Sequence, residues 1–232
     1  MGPRLTRLSR STLDFPPAQA ALEEPNGLLA VGGDLSVARL LQAYRNGIFP
    51  WYDSDAGPIL WWSPDPRGVI DPSRLLVSRS LRQRLKRGDY RCTVDTGFED
   101  VIRCCSAPRA YASGTWVTRE MRDAYVALHR AGYAHSVETW LGDVLVGGLY
   151  GVSLGRIFFG ESMFSTRSDA SKVALVHLAR QLVRWDFPLI DCQLLNPHLV
   201  SLGAVALERS AFLDVLRDNL RHPTRRGSWR FD

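Results

Sequence analysis

Between Thr118 and Trp185 the spacing of apolar residues changes period twice, and few folds accommodate such a change. Met121, Ala124, Tyr125 and Leu128 recur at helical spacing behind Thr118, a residue suited to cap a helix N-terminus, and Gly132 is placed to stop the helix. Tyr133–Trp140, Asp143–Tyr150 and Arg156–Phe164 then read as three extended runs separated by glycine-bearing turns, which predicts an antiparallel meander. Helical spacing returns over Ser168–Trp185, with Leu175, Leu178, Leu182 and Trp185 on one stripe. Pro188–Leu195 is extended again, and Arg209–Leu220 forms a last amphipathic stretch. Helices flanking a mainly antiparallel central sheet imply the α+β class.

The first third of the chain reads differently. Ser36 can cap a helix carrying Val37, Leu40, Leu41 and Tyr44, and Gly47 can close it. Ser63–Pro66 holds two prolines and cannot lie inside a helix, so it is the best candidate for a joint. The expected division is a small N-terminal domain, residues 1–64, and a larger domain, residues 65–232. Beyond the joint, Ser78–Arg87 reads as a short helix ending at Gly88, and Tyr90–Thr96 as a strand.

Composition narrows the function classes. With 45% hydrophobic and 23% charged residues the chain can bury a core, which excludes a disordered tail protein. No apolar run approaches the ~18–20 residues needed to cross a bilayer, and the start lacks the apolar core of a secretory signal. A cytoplasmic protein is expected, without membrane association. The net charge of +5 permits phosphate-rich partners and, with only Lys86 and Lys172 as lysines, rests almost wholly on arginine. Four cysteines without C-x-x-C spacing argue against a metal site and a disulfide scaffold. Neither a Walker A loop nor a G-x-G-x-x-G fingerprint nor an H-E-x-x-H zinc signature occurs, and the G-x-S-x-G elbow of a serine hydrolase is expected to be missing too.

Three features can carry chemistry. On the strand Leu189–Leu194, strict alternation would put Asp191 and Gln193 on one face and Ile190, Cys192 and Leu194 on the other. Two adjacent polar side chains need partners, either on a neighbouring loop, such as Asn196 or His198, or in an active site. Glu161 interrupts the aromatic run Phe158–Phe164 beside Gly160, as a cation-recognising or tuned acid does, and as a strand-edge charge facing water also does. With Asp191 it would make a negative pocket on a positive protein. Finally, Trp51, Trp61, Trp62 and Trp116 lie outside helical stripes, and Arg79, Arg82, Arg84, Lys86 and Arg87 share a short helix. Exposed aromatics near cations suit stacking on unpaired bases; buried tryptophans and a solvated basic face would have the same spacing.

Longer strings are more specific. Pro25-Asn-Gly-Leu-Leu-Ala-Val-Gly-Gly-Asp-Leu35, Gly47-Ile-Phe-Pro-Trp51, Leu60-Trp-Trp-Ser-Pro-Asp-Pro-Arg67, Gly114-Thr-Trp116, His135-Ser-Val-Glu138, Gly160-Glu-Ser-Met-Phe-Ser165, Asp191-Cys-Gln193 and Ser201-Leu-Gly203 occur in this order. Together, from about Leu8 to about Phe212, they resemble the bacterial leucyl/phenylalanyl-tRNA–protein transferases. The resemblance implies a GNAT-like acyltransferase fold for the larger domain. It also implies transfer of Leu or Phe, and less readily Met, from aminoacyl-tRNA to proteins with N-terminal Arg or Lys, feeding N-end-rule degradation.

Such an enzyme needs no ATP and no other cofactor, because the aminoacyl ester is already activated, and one acceptor end needs only a monomer. Carried over by position, Asp191 and Gln193 stand at the reacting centre, and Trp51 and Trp116 hold the terminal adenosine. Leu149, Phe158, Gly160, Glu161 and Ser162 border the side-chain pocket, with Leu149 where relatives carry Met. Arg79, Arg82, Lys86 and Arg87 face the tRNA stem, with Gln83 where a relative has a basic residue. Residues beyond Arg221 resemble the family poorly. Two rival classes remain: an acyl-CoA-dependent acyltransferase of the same fold, and a tRNA-binding module without catalysis.

Overall fold

The computed structural model describes residues 5–52, 57–107 and 118–232. Among these, eleven strands and seven α-helices form two sheets and their covering layers.

The first sheet is small. Strands β1 (Thr6–Leu8), β2 (Leu28–Gly32), β3 (Phe49–Pro50) and β4 (Leu60–Trp62) pair in the order β1-β2-β4-β3. Helix α1 (Val37–Arg45) lies between β2 and β3, and the Ser36 hydroxyl caps it by accepting from the Arg39 amide at 3.3 Å. Gly47, just past its end, has φ 70°, and a Cβ there would sit 2.7 Å from the Leu213 side chain. The turn thus needs glycine both for its backbone and for close approach.

The second sheet has seven strands: β5 (Arg67–Ile70), β6 (Arg91–Val94), β7 (Ala134–Leu141), β8 (Val144–Leu154), β9 (Ile157–Ser165), β10 (Leu189–Gln193) and β11 (Val205–Leu207). Their order is β11-β5-β10-β9-β8-β7-β6. Only β9 and β10 run parallel; the remaining neighbours are antiparallel. Helices α2 (Arg79–Arg87), α3 (Phe98–Cys105), α4 (Arg119–Arg130), α5 (Ala170–Arg184), α6 (Pro197–Ser201) and α7 (Arg209–Asn219) complete the chain. The parallel step is the one bridged by the long helix α5, since a parallel neighbour cannot be reached by a hairpin.

Alternation along the central strands feeds two cores. Leu149, Phe158 and Ile190 pack with Leu175, Leu178 and Leu182 of α5 on one face. Their neighbours Tyr150 and Phe159 pack on the other face with Phe98 and Val101 of α3 and Met121 and Tyr125 of α4. That second core runs on without a break into Tyr44 of α1 and the buried Trp61 of β4. Ser63–Pro66 separates the two sheets in sequence, yet the apolar packing is continuous across it.

Candidate active site

The site is built by two irregularities in neighbouring strands. Tyr150 pairs with Ser162 and Gly151 with Gly160, so Glu161 is the extra residue of a β-bulge. On β10, Asp191 pairs with Val69 and Gln193 with Gly68, which leaves Cys192 as the extra residue of a second bulge. Gln193 there takes φ 58°, a left-handed conformation of order 1 kcal/mol or more in cost for a side chain of its size. Its amide is held by the Asp191 carboxylate at 2.9 Å. Pairing of β9 with β10 stops at Phe159 and Asp191. Beyond that point a cavity of about 580 Å³ opens between them.

Phe158, Leu149, Leu175, Leu178 and Ile190 make its apolar wall. Gly160, Glu161, Ser162, Cys192 and Gln193 border it on the bulged side, and Asn196–Leu199 close one end. The Gln193 side-chain amide donates to Glu161 Oε1 at 3.2 Å, so the two bulges aim these side chains at each other.

Glu161 is the tuned group. Tyr44 Oη donates to its Oε1 at 2.7 Å and Tyr125 Oη to its Oε2 at 2.9 Å, and the two phenols also contact one another. Burial pushes the Glu161 pKa up to about 7; the two tyrosine hydrogen bonds oppose that rise, the negative charge of Asp191 adds to it and Arg67 opposes it. Both phenols are raised well above their usual range, by burial first and by Glu161 next, and remain donors at any physiological pH.

Asp191 and Gln193 do not stay together on one face as alternation predicts. The bulge at Cys192 breaks the period, so Gln193 reaches the cavity while Asp191 turns to Arg67. Arg67 Nε and Nη2 donate to its two oxygens at 2.8 and 2.7 Å, with both side chains fully buried. The guanidinium is sandwiched between Phe49 and Phe212, 4.8 and 4.7 Å from the ring centroids, and donates to the Gly47 carbonyl at 3.1 Å. Arg67 offsets the charge of a carboxylate so paired, and among the described residues lining the cavity Glu161 is the one acid. The neighbouring loop does not supply the partners either: Asn196 caps α6 by accepting from the Leu199 amide at 2.8 Å. The Cys192 thiol is held protonated by burial and by Asp191.

The tryptophans divide. Trp61 is buried and donates to the Gly32 carbonyl. Trp51 is 40% exposed, edge-on to Trp62 at 5.4 Å, and lies two residues beyond Phe49, which stacks on Arg67. Trp116 lies outside the described residues. On α2, Leu81 packs against Val173 and Val176 of α5, while Arg79, Arg82, Lys86 and Arg87 are exposed. Arg84 is instead paired with Asp89 at 2.8 Å and stacked on Tyr90.

A G-x-S-x-G string does occur, at Gly151–Gly155, but it forms the end of β8 and its turn; Ser153 is buried, and no strand-to-helix elbow exposes it. Among the described residues no group of His, Cys, Asp or Glu could hold a metal ion, and no helix is long and apolar enough to cross a membrane.

Residues 69–217 match the family described as leucyl/phenylalanyl-tRNA protein transferase, and residues 33–65 match that family's N-terminal domain. The leucyl/phenylalanyl-tRNA–protein transferase of Stutzerimonas stutzeri is 56% identical over 226 residues, covering 97% of this chain and 99% of its own. That of Pseudomonas fluorescens is 57% identical over 225 residues, with the same coverage. The chain belongs to this family. It is an aminoacyltransferase, and coverage of 97% carries the likeness past Phe212 into the tail, further than the motifs reach. Among solved structures, L-PGS from Bacillus licheniformis aligns with 73% of this chain and 54% of its own, at 11% identity and a TM-score of 0.39, too loose a likeness to bear on the site.

Tyr44, Tyr125 and Arg67 were not candidates from sequence. Tyr44 and Tyr125 are indistinguishable there from the other members of two apolar helix stripes, and only the pairing of α1 with α4 brings their hydroxyls to one carboxylate.

Proposed function

We infer that this protein moves Leu or Phe, and Met less readily, from aminoacyl-tRNA to the α-amine of a protein with N-terminal Arg or Lys, so marking it for N-end-rule degradation. The observation that carries the reading is the apolar cavity with one tuned carboxylate at its rim. The apolar wall suits an uncharged side chain of Leu or Phe size, and a hydrophobic pocket rejects a near-isostere such as Met by only ~1–3 kcal/mol. The larger sheet, with its parallel β9–β10 step, supports a GNAT-like fold, with the division near Ser63–Pro66 as the domain boundary and a cytoplasmic monomer as the working form.

In the reaction the amine nitrogen attacks the ester carbonyl, a C–N bond forms, and the C–O bond to the ribose breaks as that oxygen takes a proton. An α-amine has a pKa of ~7.7–8, so most of it arrives as ammonium at neutral pH. Glu161, with a pKa near 7, is well matched both to recognise that cation and to take its proton. Gln193 lies within hydrogen-bond reach of Glu161 and orients the same amine. Asp191, itself held by Arg67, accepts directly from the Gln193 backbone amide and acts as a positioning residue rather than as the base. Trp51 offers an exposed ring for the terminal adenosine, with Trp116 as its proposed second face, and Arg79, Arg82, Lys86 and Arg87 offer phosphate contacts. Juxtaposing two substrates supplies much of the acceleration, since effective molarities reach ~10⁵–10⁸ M.

The test incubates the protein with leucyl-tRNA and a peptide beginning with Arg. A peptide heavier by one Leu residue is expected. No addition from leucyl-tRNA, with acetyl transfer from acetyl-CoA in its place, would overturn the reading.

A further inference from the structure

The C-terminal tail and the His135–Glu138 string have no part in the reaction described above, and they meet at one residue. Trp229 is 6% exposed and belongs to the same buried cluster as the cavity-wall residues Leu149, Phe158, Leu175, Leu178 and Ile190. Its ring lies 6.0 Å from that of Phe158. Phe158 thus has the cavity on one side and the indole behind it.

The indole is held from several directions. The His135 ring stacks on it at 3.7 Å, and Trp185 meets it edge-on at 4.9 Å. Its backbone amide donates to Asp95 Oδ2 at 2.7 Å, the same oxygen that accepts from His135 Nδ1 at 2.9 Å. The indole nitrogen donates to the Arg225 carbonyl at 3.0 Å.

The rest of the tail is fastened on both sides of Trp229. Thr224 Oγ1 accepts from the Gly155 amide at 2.9 Å, and the Arg226 guanidinium lies 4.6 Å over the Tyr133 ring. At the other end Asp232 accepts from the Gln181 side chain at 2.6 Å and from the Trp185 indole at 3.2 Å, and its amide returns a bond to Gln181 at 3.0 Å.

We propose that Trp229 is a specificity-determining residue: clamped by His135 and Asp95, it fixes how far Phe158 can retreat and so sets the depth of the side-chain pocket. The proposal rests on the transfer reaction inferred above and says which part of the chain sets its selectivity. Truncating the indole opens space behind Phe158. The ring relaxes into it, the pocket deepens, and phenylalanine gains over leucine.

The experiment measures kcat/KM for phenylalanyl-tRNA and leucyl-tRNA with one Arg-initiated peptide, for wild type, Trp229→Ala and Trp229→Phe, with the thermal midpoint of each. In Trp229→Ala the Phe/Leu ratio is expected to rise about tenfold, the scale of discrimination by small changes in an apolar pocket. Trp229→Phe keeps a ring behind Phe158 and is expected to hold the ratio within about twofold of wild type, well below the roughly tenfold that begins that scale. Should the alanine variant not fold, Trp229→Leu carries the same test with a smaller rise. A folded truncated variant in which both rates fall in parallel at an unchanged ratio would overturn the proposal, because a merely structural residue acts on both substrates alike. Wild-type protein that transfers neither amino acid would overturn the transfer reading itself, a result distinct from an unchanged ratio.

Discussion

Replacing Tyr125 by Phe removes one of the two phenols that donate to Glu161 and leaves the buried ring in place. A hydrogen bond to a charged group is worth ~1.5–3 kcal/mol, and each pKa unit corresponds to ~1.4 kcal/mol. Tyr44 still holds the other oxygen and Glu161 borders a cavity, so the lower end applies and the Glu161 pKa should rise from about 7 by about one unit. The sign follows from the bond: the phenol stabilises the carboxylate, and losing it favours the protonated form. If Glu161 must be ionised to take the ammonium proton, the pH profile of kcat/KM is a bell. Its acid limb reports Glu161 and its alkaline limb the peptide amine. In Tyr125→Phe the acid limb should move about one unit toward alkaline pH, the alkaline limb should stay, and the rate at pH 7 should fall about fivefold as the ionised fraction drops. Initial rates of leucine transfer to an Arg-initiated peptide between pH 5.5 and 9 measure this. An acid limb that does not move, or one that moves toward acid, would refute the assignment of Glu161 as the titrating group.

Three further outcomes follow from the same geometry. Asp191→Asn strands the Arg67 cation in a fully buried site and should cost about 3–5 kcal/mol in urea unfolding; a variant as stable as wild type would mean that the pair is not a structural clamp. Because its folded pKa lies above the ordinary carboxyl value of 4.5, Glu161 contributes stability that is present below that value and lost as pH rises through about 7. Glu161→Gln should therefore gain on wild type by about 3 kcal/mol between pH 4.5 and 8, and parallel urea midpoints across that range would contradict it. Arg82→Ala with Lys86→Ala should reduce the slope of log K against log salt for leucyl-tRNA by about 1.5, measured by filter binding from 50 to 200 mM salt; an unchanged slope would remove α2 from the tRNA face.

Much of the fold is legible because it depends on period and punctuation. The apolar stripes of α1, α4 and α5, the first two capped by a side chain, and the three glycine-separated strands β7, β8 and β9 lie within a residue or two of where spacing puts them, apart from β8, which runs four residues further to Leu154. Helix α3 carries the same signal in Phe98, Val101, Ile102 and Cys105. It begins only four positions after β6 ends, at Val94, so its stripe merges with the strand's own turn. Helix α6 has five residues and no buried member, so it leaves no stripe to read. The joint at Ser63–Pro66 has a clear composition, but composition says nothing of packing, and the core passes beneath it unbroken.

The candidate site is harder to read, for a reason that lies in the strands themselves. Leu149, Phe158, Gly160, Glu161 and Ser162 do border one cavity, and Gln193 joins them. Whether Gln193 stays on the face of Asp191 turns on a single inserted residue. Alternation assumes two residues per repeat, and one bulge at Cys192 reverses the assignment of everything after it. Gln193 is thereby parted from Asp191, which lies before the bulge and pairs with Arg67, and among the described residues lining the cavity Glu161 is the one carboxylate, with a pKa of about 7. The charge follows the same logic. A net +5 is compatible with a basic face on α2, but the Arg67 cation counts toward that total while sitting between two phenyl rings and a carboxylate, where no substrate phosphate can reach it. Which charges act on substrate is decided by burial and partner, and a substitution at Arg67 should therefore act through the Gln193 backbone and the fold, with the salt dependence of tRNA binding left as it was.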